Sequence, residues 1–462
     1  MQKGSIMDIK SILDNVSGIV WGPALQALLL GAGLYLTVRL GGMQFRTLFY
    51  ALKLAFGKRL RKRGEAAEHG DVSPFGALMT DLSATIGTGN IAGVATAVAS
   101  GGPGAVFWMW MTAMVGMASK YGEGVLAVKF RSFNSKGEVS GGPMYYIERG
   151  MGPKWKWLAV AFAVFGIPAS IGGGSSVQAA SIAQALQKGF GFSSWVVSVI
   201  LMLTLTTVLL GGIRNIAKTT SIIVPFMVIF YCVGGLMTIA LHLDLLVPAV
   251  TTIFEDAFTG QAVAGGALGT MIRYGVARGM LSNEAGMGSS PIAAAAARTD
   301  HPVRQGLVSM TGVFLDTIVV CTITGIVIIM GTLDTGTFVA PKMTSVALAT
   351  DTFTRMLPGA GSWLVSISLI FFAYTTILGW SYYGEKCATY LFGDNSVWLF
   401  RAFYVGCVMF GAVLDMGLLW VIADIFNGLM AIPNLIALLA LSGIVVRETR
   451  DFTEKRRSGR LS

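Results

Sequence analysis

Two stretches of this chain put glycines, small polar residues and charge where a membrane-spanning helix is normally apolar throughout. They are DLSATIGTGNIAG at 81–93 and GVARGMLSNEAGMGSS at 275–290. Neither can run as an unbroken helix facing lipid, because irregular backbone in a bilayer is tolerated only where protein buries it or where it lines a cavity. Apolar runs of 18 or more residues recur along the whole length, so the chain reads as an all-α polytopic membrane protein. Two interrupted helices at matching places in two halves point to a solute site near the bilayer midplane.

Composition agrees. Of 462 residues, 54% are hydrophobic and 13% charged, about half the charged share of soluble domains. The mean hydropathy is +0.67. The 59 glycines suit close helix packing in lipid. Cys232, Cys321, Cys387 and Cys407 lie scattered in apolar segments without CxxC spacing and read as packed thiols. His69, His242 and His301 fall near segment ends and form no cluster. The first apolar run, 19–38, lacks a charged leader and a small-residue cleavage site, so it reads as a retained membrane helix.

The periodicity gives eleven spans, at roughly 18–40, 75–100, 103–130, 155–187, 194–211, 217–242, 262–296, 305–331, 360–391, 397–415 and 418–446. Alternate connections collect the basic residues: Arg46, Lys53, Lys58, Arg59, Arg61, Lys62 and Arg63 in one, Arg131, Lys136, Arg149, Lys154 and Lys156 in another. The tail adds Arg447, Arg450, Lys455, Arg456, Arg457 and Arg460. The positive-inside rule then puts the N-terminus outside and the C-terminus in the cytoplasm of a plasma membrane, the inner membrane of a bacterium. The net charge of +10 is thus topology and contact with anionic lipid rather than a nucleic-acid surface.

With 1–74 as an accessory helix and basic connection, ten spans divide into two sets of five, 75–242 and 262–446. They are separated by an extracellular connection at 243–261 and followed by a basic tail at 447–462. Each set opens on an interrupted helix. Five is odd, so the second set enters from the opposite side, as an inverted-topology repeat requires. The halves share no obvious residue-level similarity, and the repeat is inferred from layout. The connection 332–358 either covers the outer entrance or is an inert loop.

A small neutral amino acid is a zwitterion, and an interrupted helix can partner both charges from its backbone. The second half-helix offers free N–H groups and a positive dipole end; the first offers carbonyls to an ammonium or a sodium ion. In the first break, 87–90 (GTGN) can supply the N–H groups through Thr88, Gly89 and Asn90, and the carbonyls of Ser83 and Ile86 end the first half-helix. Asp81 lies within the membrane. It either serves the solute or pairs with Arg273, Arg278 or Lys120. In the second break Met280, Ser282 and Asn283 are candidates to line the pocket, and Glu284 can cap the next half-helix or join an ion network. Gln178 can donate to the solute or bond between helices. Thr375 and Thr376 can complete an oxygen shell for a cation or bond back to their own helix. Trp380, four residues beyond Thr376, can limit the pocket to very small side chains or pack the bundle.

An embedded enzyme finds no support: HExxH, GxSxG and clustered histidines are missing, and GTGNIAG misplaces the third glycine of a dinucleotide loop. Proton coupling through Asp81 stays open as an alternative to sodium.

The 101–116 segment, GGPGAVFWMWMTAMVG, closely resembles the signature of the sodium:alanine/glycine symporter family. SATIGTGNIAGVATA and ARGMLSNEAGMGSSPIAAAAA are similar to that family's two broken helices. The family lies in the amino acid-polyamine-organocation superfamily, with the five-plus-five repeat of the bacterial leucine transporter. The resemblance implies sodium-driven uptake of alanine, of either hand, or glycine, by a chain expected to act as a monomer. It also implies roles: Thr88 and Gly89 amides for the carboxylate; Ser83 and Ile86 carbonyls with Thr375 and Thr376 for sodium; Asn90 for a second sodium. Asp81 departs from the leucine-transporter pattern and leaves the ammonium contacts and the ion number open.

Overall fold

The computed structural model describes residues 2–57, 70–134, 137–258, 267–334, 337–338, 341–343, 345–412 and 416–459. Of the basic residues used above for topology, Lys58, Arg59, Arg61, Lys62, Arg63, Lys136 and Arg460 lie outside them, as does the end of the 243–261 connection.

The chain is mostly helical. It begins with α1 (Gln2–Val20), α2 (Pro23–Arg39) and α3 (Met43–Phe56). The first interrupted helix follows as α4 (Pro74–Thr85), a 3₁₀ turn at Thr88–Asn90 and α5 (Ala92–Gly101). Ser73 caps α4 by accepting from Gly76 N (3.0 Å), and Pro74 sits in the first turn, where its missing N–H costs nothing. Next come α6 (Gly104–Lys129), a hairpin of β1 (Ser132–Phe133) and β2 (Val139–Ser140), and the short α7 (Pro143–Tyr146). One long span is built from α8 (Lys156–Ile171), a wide π turn (Gly172–Ser176) and α9 (Val177–Phe190). Then follow α10 (Ser194–Leu209), α11 (Gly212–Ala240) and α12 (Leu243–Phe258).

The second interrupted helix is α13 (Ala267–Asn283) and α14 (Ser290–Ala295). Another long span joins α15 (Pro302–Val313), a π segment (Phe314–Cys321) and α16 (Thr322–Thr332). A hairpin of β3 (Leu333–Asp334) and β4 (Thr337–Phe338) leads to α17 (Ser345–Met356). The chain closes with α18 (Gly361–Phe392), α19 (Ser396–Gly411), α20 (Met416–Ala440) and α21 (Ser442–Arg457).

Among the described residues six helices are long and apolar enough to cross a membrane, and α4 with α5 forms a seventh span bent by 60°. The 26-residue α6, which carries Lys120, Glu123 and Lys129, is not among them. The lipid-facing surface is apolar: Ile222 and Ile229 on α11 and Leu399 on α19 are 69%, 62% and 76% exposed. The interior holds α6, packed between α13 and α15, and α8, packed against α18 and α20.

Three segments differ from the sequence reading. The connections at 243–261 and 332–358 carry helices, α12 and α17, because each has an apolar stripe that packs on the bundle, α12 on α6 and α17 on α16 and α18. The span expected at 418–446 ends at Ala440. After a break at Leu441 a separate basic helix, α21, packs back on α6 and α15.

Candidate functional site

The first break is set by one side chain. Gly87 N would close the helix onto Ser83 O; instead it donates to Asn90 Oδ1 at 3.0 Å. Asn90 N in turn bonds Gly87 O (3.3 Å) rather than Ile86 O. The Ser83 and Ile86 carbonyls thereby lose their helical partners. The amides of Thr88 and Gly89 also have no partner among the described residues, and Thr88 Oγ1 is buried without one. Gly87 is required for a second reason: a Cβ there would stand 2.7 Å from Thr376 Oγ1 on α18.

A cavity of about 530 Å³ opens from this break past the first turns of α5, at Ala92, Gly93 and Thr96. Its inner wall includes Gly87, Thr88, Gly89, Gln178, Thr376 and Trp380. Gln178 donates to Gly173 O (3.1 Å), and its Oε1 is buried without a partner. Trp380 lies against Gly174 in the π turn, where a Cβ would come within 2.3 Å of Trp380 Cβ; Tyr383 meets its ring edge-on at 5.5 Å. Farther out the walls carry Arg273 and Arg278 from α13, Asp424 and Asn427 from α20, and Asp14 from α1.

The second break runs between α13 and α14. Glu284 has a left-handed backbone (φ 54°), as have Gly286 and Gly288. For a glutamate this is a strained conformation, held in place by its surroundings. Glu284 lines the cavity and accepts a hydrogen bond from Ser289 Oγ. Met280, Ser282 and Asn283 turn away from the cavity into the protein. Ser282 Oγ donates to Asp316 Oδ2 (2.9 Å), and Asn283 Nδ2 to Thr317 Oγ1 (3.2 Å).

Asp81 also stands behind the cavity wall. Its Oδ1 is 3.1 Å from Lys120 Nζ, and both side chains are buried. Lys120 donates as well to Asn283 O (3.0 Å), the carbonyl where α13 ends. Of the partners open to Asp81 from the sequence, Lys120 is the one it meets. The two threonines of α18 diverge: Thr376 faces Gly87, while Thr375 contacts Met227 Sδ on α11, and both hydroxyls bond back to Phe372 O.

The residue that sequence reasoning missed is Asp316. It sits in the π segment, wholly buried, and joins the two breaks. Asn90 Nδ2 donates to its Oδ1 (2.6 Å); Ser282 and Thr317 hydroxyls donate to its Oδ2 (2.9 and 2.7 Å). An acid inside a predicted span was the available signal, the same one that drew attention to Asp81.

The fold is an apolar helical bundle with a cavity at a discontinuous helix, and the crystal structure of MhsT in complex with L-phenylalanine has a similar fold, with a TM-score of 0.54 at 13% identity, covering 82% of this chain and 89% of that one. The model of the sodium:alanine symporter family matches residues 6–462, and the chain belongs to that family. It is 52% identical over 454 residues to the sodium/alanine symporter AgcS of Methanococcus maripaludis, covering 98% of this chain and 99% of the relative. It is 35% identical over 462 residues to the probable sodium/glutamine symporter GlnT of Bacillus subtilis, covering 98% and 93%. The protein is a transporter and not an enzyme.

Proposed function

We propose that the protein imports a small neutral amino acid, alanine or glycine and D-alanine among them, together with sodium by alternating access. The observation that carries this is the first break: two free amides, an unpartnered Thr88 hydroxyl and two released carbonyls beside Thr376. The amides of Thr88 and Gly89 suit a carboxylate. The carbonyls of Ser83 and Ile86 with Thr376 suit a sodium ion, and Thr375 joins them if its rotamer turns from Met227. Asn90 and Asp316 form a second candidate cation shell, with Ser282 beside it. Gln178 contributes to the ammonium side. Trp380, fixed by Gly174, closes the pocket and argues for alanine-sized side chains over glutamine. Asp81, Met280 and Asn283 act from behind, holding the breaks in shape.

In this reading eleven spans form an inverted five-plus-five repeat after an accessory helix, divided at 75–242 and 262–446. The N-terminus lies outside, the C-terminus in the cytoplasm of a bacterial inner membrane, and one chain suffices. The cavity then faces outward. Sodium orders the break, the amino acid closes it, and the bundle rocks to expose the site inward. Each sodium moved with a neutral zwitterion gains about 2.3 kcal/mol per 100 mV of potential.

Purified protein in liposomes should take up labelled alanine under an inward sodium gradient, with competition by glycine, D-alanine and L-alanine but not by leucine or glutamine. Equal uptake with and without the gradient overturns sodium coupling. Competition by leucine or glutamine overturns the size limit.

A further inference from the structure

Four buried carboxylates surround the two breaks: Asp81, Glu123, Glu284 and Asp316. Lys120 is the buried ammonium among them, and it is committed to Asp81 and to Asn283 O. Asp316 accepts three side-chain donors, and Glu284 accepts Ser289. Glu123 is different. It lies on α6 six residues before the helix ends at Lys129, about 9 Å along the axis. Its side chain is completely buried. Oε1 accepts from Gly288 N (3.1 Å) and from Asn434 Nδ2 (2.5 Å), while Oε2 has no hydrogen-bond partner among the described residues; Asp81 Oδ2 is bare too, but Asp81 is ion-paired with Lys120 and Glu123 has no ion pair among those residues.

We infer that Glu123 is a proton-binding site, charged and discharged as the second break changes shape. An ionised carboxylate with a bare, buried oxygen and no paired cation costs several kcal/mol, far more than the neutral acid. The groups that face it relieve this only in part: the Lys120 charge and the N–H donors favour the carboxylate, yet none of them bonds Oε2. Lys120, one turn back on α6, is held by Asp81; Asn434 on α20 already gives one hydrogen to Oε1 and the other to Gly286 O (2.8 Å). Tyr146 on α7 donates to Asn434 Oδ1 and not to Glu123. Tyr383 on α18 is turned to Asp81 (3.5 Å). The groups that bond Oε1 are N–H donors and not oxygen ligands for a cation, and among the described residues no three acidic, histidine or cysteine side chains converge on one point. A proton needs a single oxygen and removes the buried charge.

The site is tied to the moving part. Glu123 and Asn434 grip Gly288 N and Gly286 O, both in the left-handed turn of the second break. Rearranging that turn removes a donor from Oε1 and lets water in; the carboxyl then passes its proton to water, leaving carboxylate and hydronium. In the proposed orientation this water is cytoplasmic. Proton release and inward opening are therefore linked, and raising the pH pulls the protein out of the conformer described here. Asp81 does not serve this purpose, because its carboxylate is paired with Lys120 at 3.1 Å.

Two measurements test this, and only the second rests on the transport reading. In purified protein in lipid, infrared spectroscopy should show the C=O stretch of a buried protonated carboxyl. That band should vanish in Glu123→Gln, which keeps the acceptor for Gly288 N. If that variant folds poorly, Asn434→Leu, which strips a donor from Oε1, should shift the band's frequency. A band that persists in Glu123→Gln, or does not move in Asn434→Leu, overturns the site. In liposomes with saturating sodium and clamped potential, wild-type alanine uptake should fall with rising pH, by at most about tenfold per unit for one proton. Glu123→Gln should be flat over the same range. A variant profile that follows the wild type overturns the link to transport even where the band behaves as expected.

Discussion

Replacing one member of the buried Asp81–Lys120 pair should cost more than its share of replacing both. The two charged atoms are 3.1 Å apart, with side chains 4% and 0% exposed. At an effective dielectric of about 20 their attraction is about 5 kcal/mol. Desolvation of two ions offsets much of that, so the intact pair adds little net stability. Removing one partner is another matter, because the remaining charge stays buried and uncompensated, at a cost of about 3–5 kcal/mol. Lys120→Met leaves Asp81 in that state and strips Asn283 O of its donor at the end of α13. Asp81→Asn leaves the ammonium with one carbonyl and one amide oxygen. The double variant removes both charges and should be about 2–3 kcal/mol less destabilised than the two singles together. Unfolding in mixed detergent micelles measures all three against wild type. Effects that add to within about 0.5 kcal/mol would refute the pairing as the reason these residues are buried.

Trp380→Ala should admit larger amino acids as competitors of alanine uptake, whereas Gly174→Ala, whose methyl would sit 2.3 Å from Trp380 Cβ, should displace the indole and weaken alanine itself. Gly87→Ala puts a carbon 2.7 Å from Thr376 Oγ1. Overpacking of about 1–3 kcal/mol should raise the half-saturating sodium concentration by about 5–150-fold, read from uptake against sodium. On the basic helix α21, Lys455 and then His301 hold the Asp451 carboxyl below its usual value. Its bonds to both should persist above the ordinary carboxylate range and be lost as pH falls through the lowered value. Hydrogen exchange of α21 should speed up there and not at neutral pH.

A bundle of long apolar helices was legible because lipid forces such helices, six or seven of them long and apolar enough to cross among the described residues, and the breaks because Gly87, Gly89, Gly286 and Gly288 cannot continue a helix facing lipid. Which way side chains point from those breaks was not legible. Met280, Ser282 and Asn283 lie in the right segment, yet α13 stays helical through Asn283, and the face it turns to the cavity is the stripe of Tyr274, Ala277, Arg278 and Leu281, with Glu284 just beyond it. Thr375 and Thr376 are neighbours in sequence but about 100° apart around α18, so one reaches Gly87 and the other α11. Lys120 was visible only as one of three basic partners for Asp81, since choosing among them needs the packing of α6 on α13. The helix α1 gave no membrane-length apolar signal, although Asp14 and Ser17 from it line the outer cavity.

The two breaks are wired together through Asp316, and this is where sodium and amino acid can sense one another. Asn90 faces both ways: its Oδ1 holds Gly87 N in the first break, and its Nδ2 gives a hydrogen to Asp316. Asp316 takes another from Ser282, next to the end of α13. A shift at Gly87 therefore reaches the second break through three side chains. Coupling of this kind is a reciprocal free energy, typically about 1–3 kcal/mol, so sodium should lower the apparent KM for alanine by about 5–150-fold. Asp316→Asn tests the wiring. The Ser282 and Thr317 hydroxyls can reverse to accept from the new amide, whereas Asn90 cannot reverse without releasing Gly87 N. The variant should thus fold, keep its contact with Asn90 through oxygen, and lose the charge that draws all three donors inward. Alanine uptake measured over a matrix of sodium and alanine concentrations should show the sodium effect on KM mostly gone. If sodium still lowers the KM of Asp316→Asn by the wild-type factor, the communication runs elsewhere, and Asp316 only fills the space between the helices.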